Sequence, residues 1–185
     1  MVKSHYQPSS SSSSSSDTTS LRKTELHTEA DELVLDAEHR LVYQDECAVA
    51  LANESSLAEL NRRLTAKGRP PVSYRNFRPN IFLRTGAQVP PFGEDAWRRI
   101  QLGSRVVLKL AKPCHRCTTT TTDPDSGRKN DNFEPLETLK EFRVREEYSH
   151  LYSSSPLFGL SLSPVVLGTL RLGDSLTVLE EKQKK

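Results

Sequence analysis

The sequence predicts one mainly β domain of the α+β kind, a barrel-like sheet carrying a few short helices. Short β-prone runs recur along the chain between Gly, Pro, Asn and Asp turns. Only two or three windows place leucines at helical spacing. The length of 185 residues with 35% hydrophobic side chains supplies one modest core. No internal repeat interrupts this pattern.

Ser9 to Ser16 is an unbroken serine run that buries nothing, so residues 1–20 are expected as a disordered tail ahead of a domain at 21–180. Residues 181–185 form a charged tail. Glu32 to Leu35 and Arg40 to Tyr43 carry β-prone clusters suited to edge strands, and Cys47 to Ala52 is a short apolar run. Leu57, Leu60 and Leu64 predict a helix over about 57–65, with Ser56 and Glu59 as a capping box and Gly68-Arg69-Pro70-Pro71 as its stop. Val72 to Tyr74 leads into an extended segment, and Arg78 to Leu83 reads as a strand whose first residue is pushed out of the helical region by Pro79.

Glu94 to Ile100 is expected as a short helix with Trp97 and Ile100 on one face, ended by Gly103, before a strand at Arg105 to Leu110. The β-branched run Thr118 to Thr122 opposes a helix and leaves Cys114 and Cys117 on a loop or strand. Asp123-Pro124-Asp125-Ser126-Gly127 is a turn, because proline presets one dihedral and glycine permits the positive one. Leu136 to Phe142 is a helix candidate, and Gly168 to Asp174 with Ser175 to Leu179 reads as a closing strand pair.

The charge balance of 26 basic against 24 acidic side chains argues against nucleic acid or an anionic membrane as the main partner. No apolar stretch approaches the ~20 residues of a membrane span, and Met1 to His5 lacks the apolar region of a secretory signal. Three cysteines are too few for a disulfide-stapled scaffold. A soluble intracellular protein is expected, cytoplasmic or mitochondrial.

Two constellations carry chemistry. Pro113-Cys114-His115-Arg116-Cys117 sets two thiols around a cation. One Cys-x-x-Cys is half of a four-ligand zinc site, and no second pair completes it. A redox dithiol wants its first cysteine at a helix N-terminus, which the threonines oppose. This leaves a thiolate offered to a soft acceptor, a transition metal or a sulfane sulfur, or else two buried structural cysteines. In Tyr74-Arg75-Asn76-Phe77-Arg78-Pro79-Asn80, an arginine fork followed by an amide is half of an anion site, or an ordinary surface salt bridge. Trp97 reads as a core anchor and His115 as a neighbour of the thiols.

Together these pieces resemble the MOSC domain, the C-terminal domain of molybdenum cofactor sulfurases that also forms the core of amidoxime-reducing proteins. The resemblance rests on Asn53 to Asn61, Asn76 to Ile81, Glu94 to Trp97, Pro113 to Thr118, Thr121 to Gly127, Glu134 to Leu139, Pro156 to Gly159 and Gly168 to Asp174, in order over residues 43–179. It implies a MOSC-type β-barrel that holds a molybdenum-pterin cofactor. The second cysteine of the pair would ligate the metal, here Cys117, with Arg78, Asn80 and Arg116 as cofactor contacts. The implied activity is reduction of small N-hydroxylated compounds, with haem or flavin proteins as electron donors. Two alternatives accompany it. One is a sulfur carrier holding a persulfide on Cys114 or Cys117 and working with a pyridoxal-phosphate partner; the other is a shortened MOSC domain without catalysis.

Overall fold

The computed structural model describes residues 47–182. The serine run, the strand candidates at 32–35 and 40–43 and the last three residues of the charged tail lie outside the described residues. Six strands form one sheet: β1 (Val49–Asn53), β2 (Ile81–Leu83), β3 (Trp97–Leu102), β4 (Val106–His115), β5 (Leu157–Val166) and β6 (Leu176–Glu181). Their order is β2-β1-β5-β4-β3-β6, with β1 and β2 parallel and every other pair antiparallel. The sheet curls into a half-barrel carrying three short helices, α1 (Glu54–Ala66), α2 (Leu136–Arg143) and α3 (Ser149–Tyr152).

The first helix follows from its leucines and its ends. Leu60 and Leu64 are fully buried against Phe77, Phe158 and Leu139. Its cap differs from the expected Ser56–Glu59 box: Asn53 is the N-cap, and its side-chain oxygen accepts from the Ser55 N–H. Ser56 is buried instead and donates to Glu94, while Glu59 pairs with Arg62 and Arg63 along the helix surface. At the other end Gly68 (φ +68°) closes a Schellman turn: its N–H reaches the Thr65 carbonyl and that of Arg69 the Leu64 carbonyl. The second expected helix is present as α2, with Pro135 at its N-cap; the carboxyl of Glu134, one residue ahead, accepts from the backbone and hydroxyl of Thr138.

Two faces of the sheet bury separate clusters. Leu51, Trp97, Ile100, Leu108, Leu160 and Leu162 fill the concave core, while Ala52 and Phe158 meet the helices on the other side. Phe158 and Leu160 are two residues apart yet face opposite ways. Pro113 pairs with Leu160 and His115 with Leu157, so β5 carries one extra residue between them. That bulge centres on Gly159 (φ +75°), where an added Cβ would lie 2.3 Å from the Leu51 carbonyl oxygen.

Three expectations are corrected. Glu94 to Ile100 is not a helix: a 3-10 turn at Gly93–Ala96 leads into strand β3. The i, i+3 spacing of Trp97 and Ile100 misled because a bulge between Trp97 and Arg99 brings both to one core. Gly168 to Asp174 is not a strand; β6 alone forms there and pairs with β3. Arg78 is not extended but left-handed (φ 49°, ψ 45°), ending a 3-10 turn at Tyr74–Phe77. Pro79 disfavours the right-handed helical region at Arg78, and the turn closes through the opposite hand.

Candidate functional site

The end of β4, the Gly159 bulge and the segment around the Tyr74–Phe77 turn converge on a cleft of about 220 Å³. Arg78, Asn80, Arg116 and Cys117, predicted from the sequence, all line it. So do the other two cysteines, Cys47 and Cys114. None of the three is in a disulfide; Cys47 is buried, Cys114 half-buried and Cys117 exposed.

Cys117 caps a single 3-10 turn at Thr118–Thr121. The threonines that oppose an α-helix suit this tighter turn, because their hydroxyls bond back to it: Thr120 Oγ1 donates to the Cys117 carbonyl at 2.9 Å and Thr121 Oγ1 to that of Thr118 at 2.7 Å. The Cys117 thiol lies 3.3 Å from the Thr119 hydroxyl. Between the two cysteines the chain stays extended, since His115 pairs with Leu157 and the Arg116 N–H donates to the Pro156 carbonyl. Three extended residues span about 10 Å, beyond the ~7 Å limit between Cα atoms of a disulfide. The pair is not arranged as a closing dithiol. Among the described residues no group of three His, Cys, Asp or Glu side chains is placed to hold a metal ion.

Arg116 is a buried cation. It is only 9% exposed; Nε and Nη2 donate to the Phe158 carbonyl at 2.9 and 2.7 Å, and Nη1 donates to the Phe77 carbonyl at 2.9 Å. The fork thus joins the bulge of β5 to the Phe77 turn, beneath the stacked Phe77 and Phe158 rings (centroids 4.0 Å). No carboxylate among the described residues forms an ion pair with it. Among the described residues, this buried guanidinium is held by two backbone carbonyls and lies over the Phe77 ring (5.5 Å), so it brings a fixed positive charge to the cleft without a carboxylate partner there.

Arg75 and Arg78 separate cleanly. Arg75 pairs with Asp125 on the surface, the ordinary reading of an exposed arginine, while Arg78 lines the cleft. Asn80 is partly structural: its side-chain oxygen accepts from the Ala50 N–H and its own N–H donates to the Ala50 carbonyl, both at 2.8 Å. Its amide hydrogens remain for the cleft. Asn76, which the sequence reading did not assign to a site, ties the walls together by donating to the Thr120 and Thr122 carbonyls. Its place in the quoted motif was the only signal available.

The Glu94-Asp95-Ala96-Trp97 motif is structural. Asp95 grips the buried Arg143 through two bonds of 2.8 and 2.9 Å, and Arg143 also donates to the Leu157 carbonyl at the start of β5. Glu94 is fully buried, holding Ser56 at 2.7 and 2.8 Å and Asn53 at 3.3 Å. Burial pushes its carboxyl above the ordinary range against the pull of these donors.

A family model described as the MOSC domain matches residues 38–177. Mitochondrial amidoxime reducing component 2 of Bos taurus is 42% identical over 141 residues, 76% of this chain and 39% of that protein. The Homo sapiens proteins of that name and of the name mitochondrial amidoxime-reducing component 1 are each 40% identical, with the same coverage. The chain therefore spans about two fifths of the length of the curated relatives it matches.

Proposed function

The chain belongs to the MOSC domain family, and from that premise we propose that its cleft holds a molybdenum-pterin cofactor and serves reduction of small N-hydroxylated compounds. The observation that carries the reading is the juxtaposition of the exposed Cys117 thiol with the buried Arg116 cation, which pairs with no carboxylate among the described residues, in one cleft. A soft metal bound to an anionic organic group needs both: a thiolate for the metal and fixed positive charge for the anion. The absence of a three-ligand protein cluster among the described residues fits a metal that takes one protein thiolate.

When bound, the cofactor supplies the redox chemistry that removes oxygen from an N–OH group. The chain supplies position and charge. Cys117 provides the thiolate ligand. Arg78, exposed at the mouth, and the amide of Asn80 contact the polar edge or phosphate of the cofactor. Arg116 fixes the floor, so its charge acts without side-chain motion, as preorganised electrostatics require. Asn76 holds the Phe77 turn and the threonine turn at a constant separation.

Relatives named for amidoxime reduction in mitochondria make N-hydroxylated amidines the substrate class to test first and mitochondria the compartment, with haem or flavin proteins as the donors the family resemblance implies. No helix among the described residues is long and apolar enough to cross a membrane. The sulfur-carrier alternative with a pyridoxal-phosphate partner gains no support from these relatives. The test is to load the purified chain with cofactor under reducing conditions, remove excess and measure molybdenum. About one metal per chain is expected, and a chain that retains none contradicts the proposal.

A further inference from the structure

The end of β4 opposite Cys114 and the cleft carries a surface that the proposed function leaves unused. Large hydrophobic side chains stand exposed at Val165, Val166, Leu167, Leu170 and Leu172, with Leu167 at 73% and Leu172 completely open to solvent. A single exposed leucine is ordinary, whereas such a concentration within one short stretch marks a contact surface. The stretch finishes β5 and runs past the β3–β4 turn: Val166 pairs with Val107, and an added Cβ at Gly168 would lie 3.0 Å from Val106 and 3.8 Å from the stem of Arg105. Beyond it, the Gly103 N–H donates to the Ser175 carbonyl at 2.8 Å. Two cations flank the leucines, Arg105 beside Gly168 and Arg171 between Leu170 and Leu172; both are exposed, and neither forms an ion pair among the described residues. Asp174, the one acid between residues 165 and 175, turns its carboxylate back onto the chain, accepting from the Arg171 N–H at 2.8 Å beside Gly103.

We infer that residues 165–172 form a membrane-docking loop, which seats its leucines in the headgroup region of an anionic bilayer while Arg105 and Arg171 meet the lipid headgroups. Apolar area sunk into the interface and attraction to anionic lipid add together in such binding. The composition favours lipid over a protein partner: the surface is Leu and Val with no aromatic residue or methionine between 165 and 175, whereas the energetic centres of protein interfaces are rich in Trp and Tyr and poor in Leu and Val. An arginine stem lies along apolar surface and keeps its charged head at the water boundary. The even charge of the whole chain does not decide the matter, because salt screens charges beyond ~8 Å and only the side chains at the surface itself count. Strand β4 runs from this end at Val106 to the cleft at His115, about 30 Å of extended chain. A docked chain therefore holds its cleft away from the bilayer and open to water, whatever the cleft binds.

The test is co-sedimentation of the full chain with vesicles of phosphatidylcholine alone and of roughly three parts phosphatidylcholine to one part phosphatidylserine. The wild type should sediment with the anionic vesicles, far less with the neutral ones, and be released as salt rises. Leu167→Ser combined with Leu172→Ser should lower that partition by roughly tenfold or more, at an unchanged melting temperature because both side chains are exposed. Arg105→Gln combined with Arg171→Gln should lower it by roughly fivefold per arginine on the anionic vesicles. Arg69→Gln, exposed beyond α1, should leave it unchanged. A wild-type chain that stays in the supernatant overturns the inference. A leucine variant that binds as the wild type does, or an Arg69→Gln loss as large as that of the flanking arginines, overturns it by placing the contact elsewhere on the chain. A dimer in sedimentation velocity that is absent from the leucine variant, with no vesicle binding, overturns it too and gives the face to a second copy of the chain.

Discussion

Replacing Arg116 with methionine isolates what the buried fork does. Methionine keeps much of the apolar stem but removes all three donors, leaving the Phe158 and Phe77 carbonyls without the partner each has at 2.7–2.9 Å. An unsatisfied buried acceptor costs about 1–3 kcal/mol, so two such groups place the destabilisation at about 2–6 kcal/mol. Relief from burying the unpaired cation offsets part of this, which favours the lower half of the range. Urea denaturation should show the midpoint falling with the slope unchanged. Arg116→Lys should fall between wild type and Met, because one ammonium is a point donor and not a fork reaching two carbonyls. A shift in Arg116→Met below about 0.5 kcal/mol, the scatter of ordinary surface substitutions, would refute the claim that this side chain braces the cleft floor.

The remaining expectations can be checked on the same protein. Glu94→Gln tests the buried carboxyl. Since its folded pKa lies above the ordinary 4.5, the wild type is favoured below that pH and loses this contribution as pH rises from 4.5 through the raised value; the neutral variant should show a flatter stability profile across that window, by thermal melts from pH 4 to 8. Gly159→Ala should destabilise by about 2–4 kcal/mol, from positive φ and overlap with the Leu51 carbonyl. Gly127→Ala, also at positive φ but with open space around it, should lose only about 1 kcal/mol in the same denaturation series. Arg78→Ala should weaken cofactor retention on dialysis roughly tenfold, the size of a charge-assisted contact, whereas Arg75→Ala, whose partner is Asp125, should leave retention unchanged.

Much of this fold could be read from the residues, and the failures have physical causes that no local window of sequence carries. Helix α1 was legible because Leu57, Leu60 and Leu64 repeat without interruption. Its cap was not, because Ser56 and Glu59 match the capping pattern while tertiary contacts claim both: Glu94 takes Ser56 and two arginines take Glu59. Strands β3 and β5 escaped or were misread because bulges break their period of two. In β5 the buried residues include Ser161 and Ser163, which read as surface. Arg78, Asn80, Arg116 and Cys117 sit in compact motifs, and the structure gathers all four in one cleft. Their poses were not legible. A left-handed arginine and a buried one are both uncommon, and only the Phe77 and Phe158 carbonyls, distant in sequence, explain the second.

The central claim, that this cleft binds molybdenum through one particular thiol, is tested most directly by metal content per chain in Cys117→Ser and Cys114→Ser after identical loading. Cys117→Ser replaces a soft thiolate with a hard, mostly protonated hydroxyl on an exposed turn, so it should lose the metal with its denaturation midpoint unchanged. Cys114→Ser, on half-buried strand β4, should keep the metal and lose about 1–3 kcal/mol if its hydroxyl finds no partner. Metal retained in Cys117→Ser and lost in Cys114→Ser would contradict the assignment, and loss in both would point to a shared dithiol that the extended segment between them opposes.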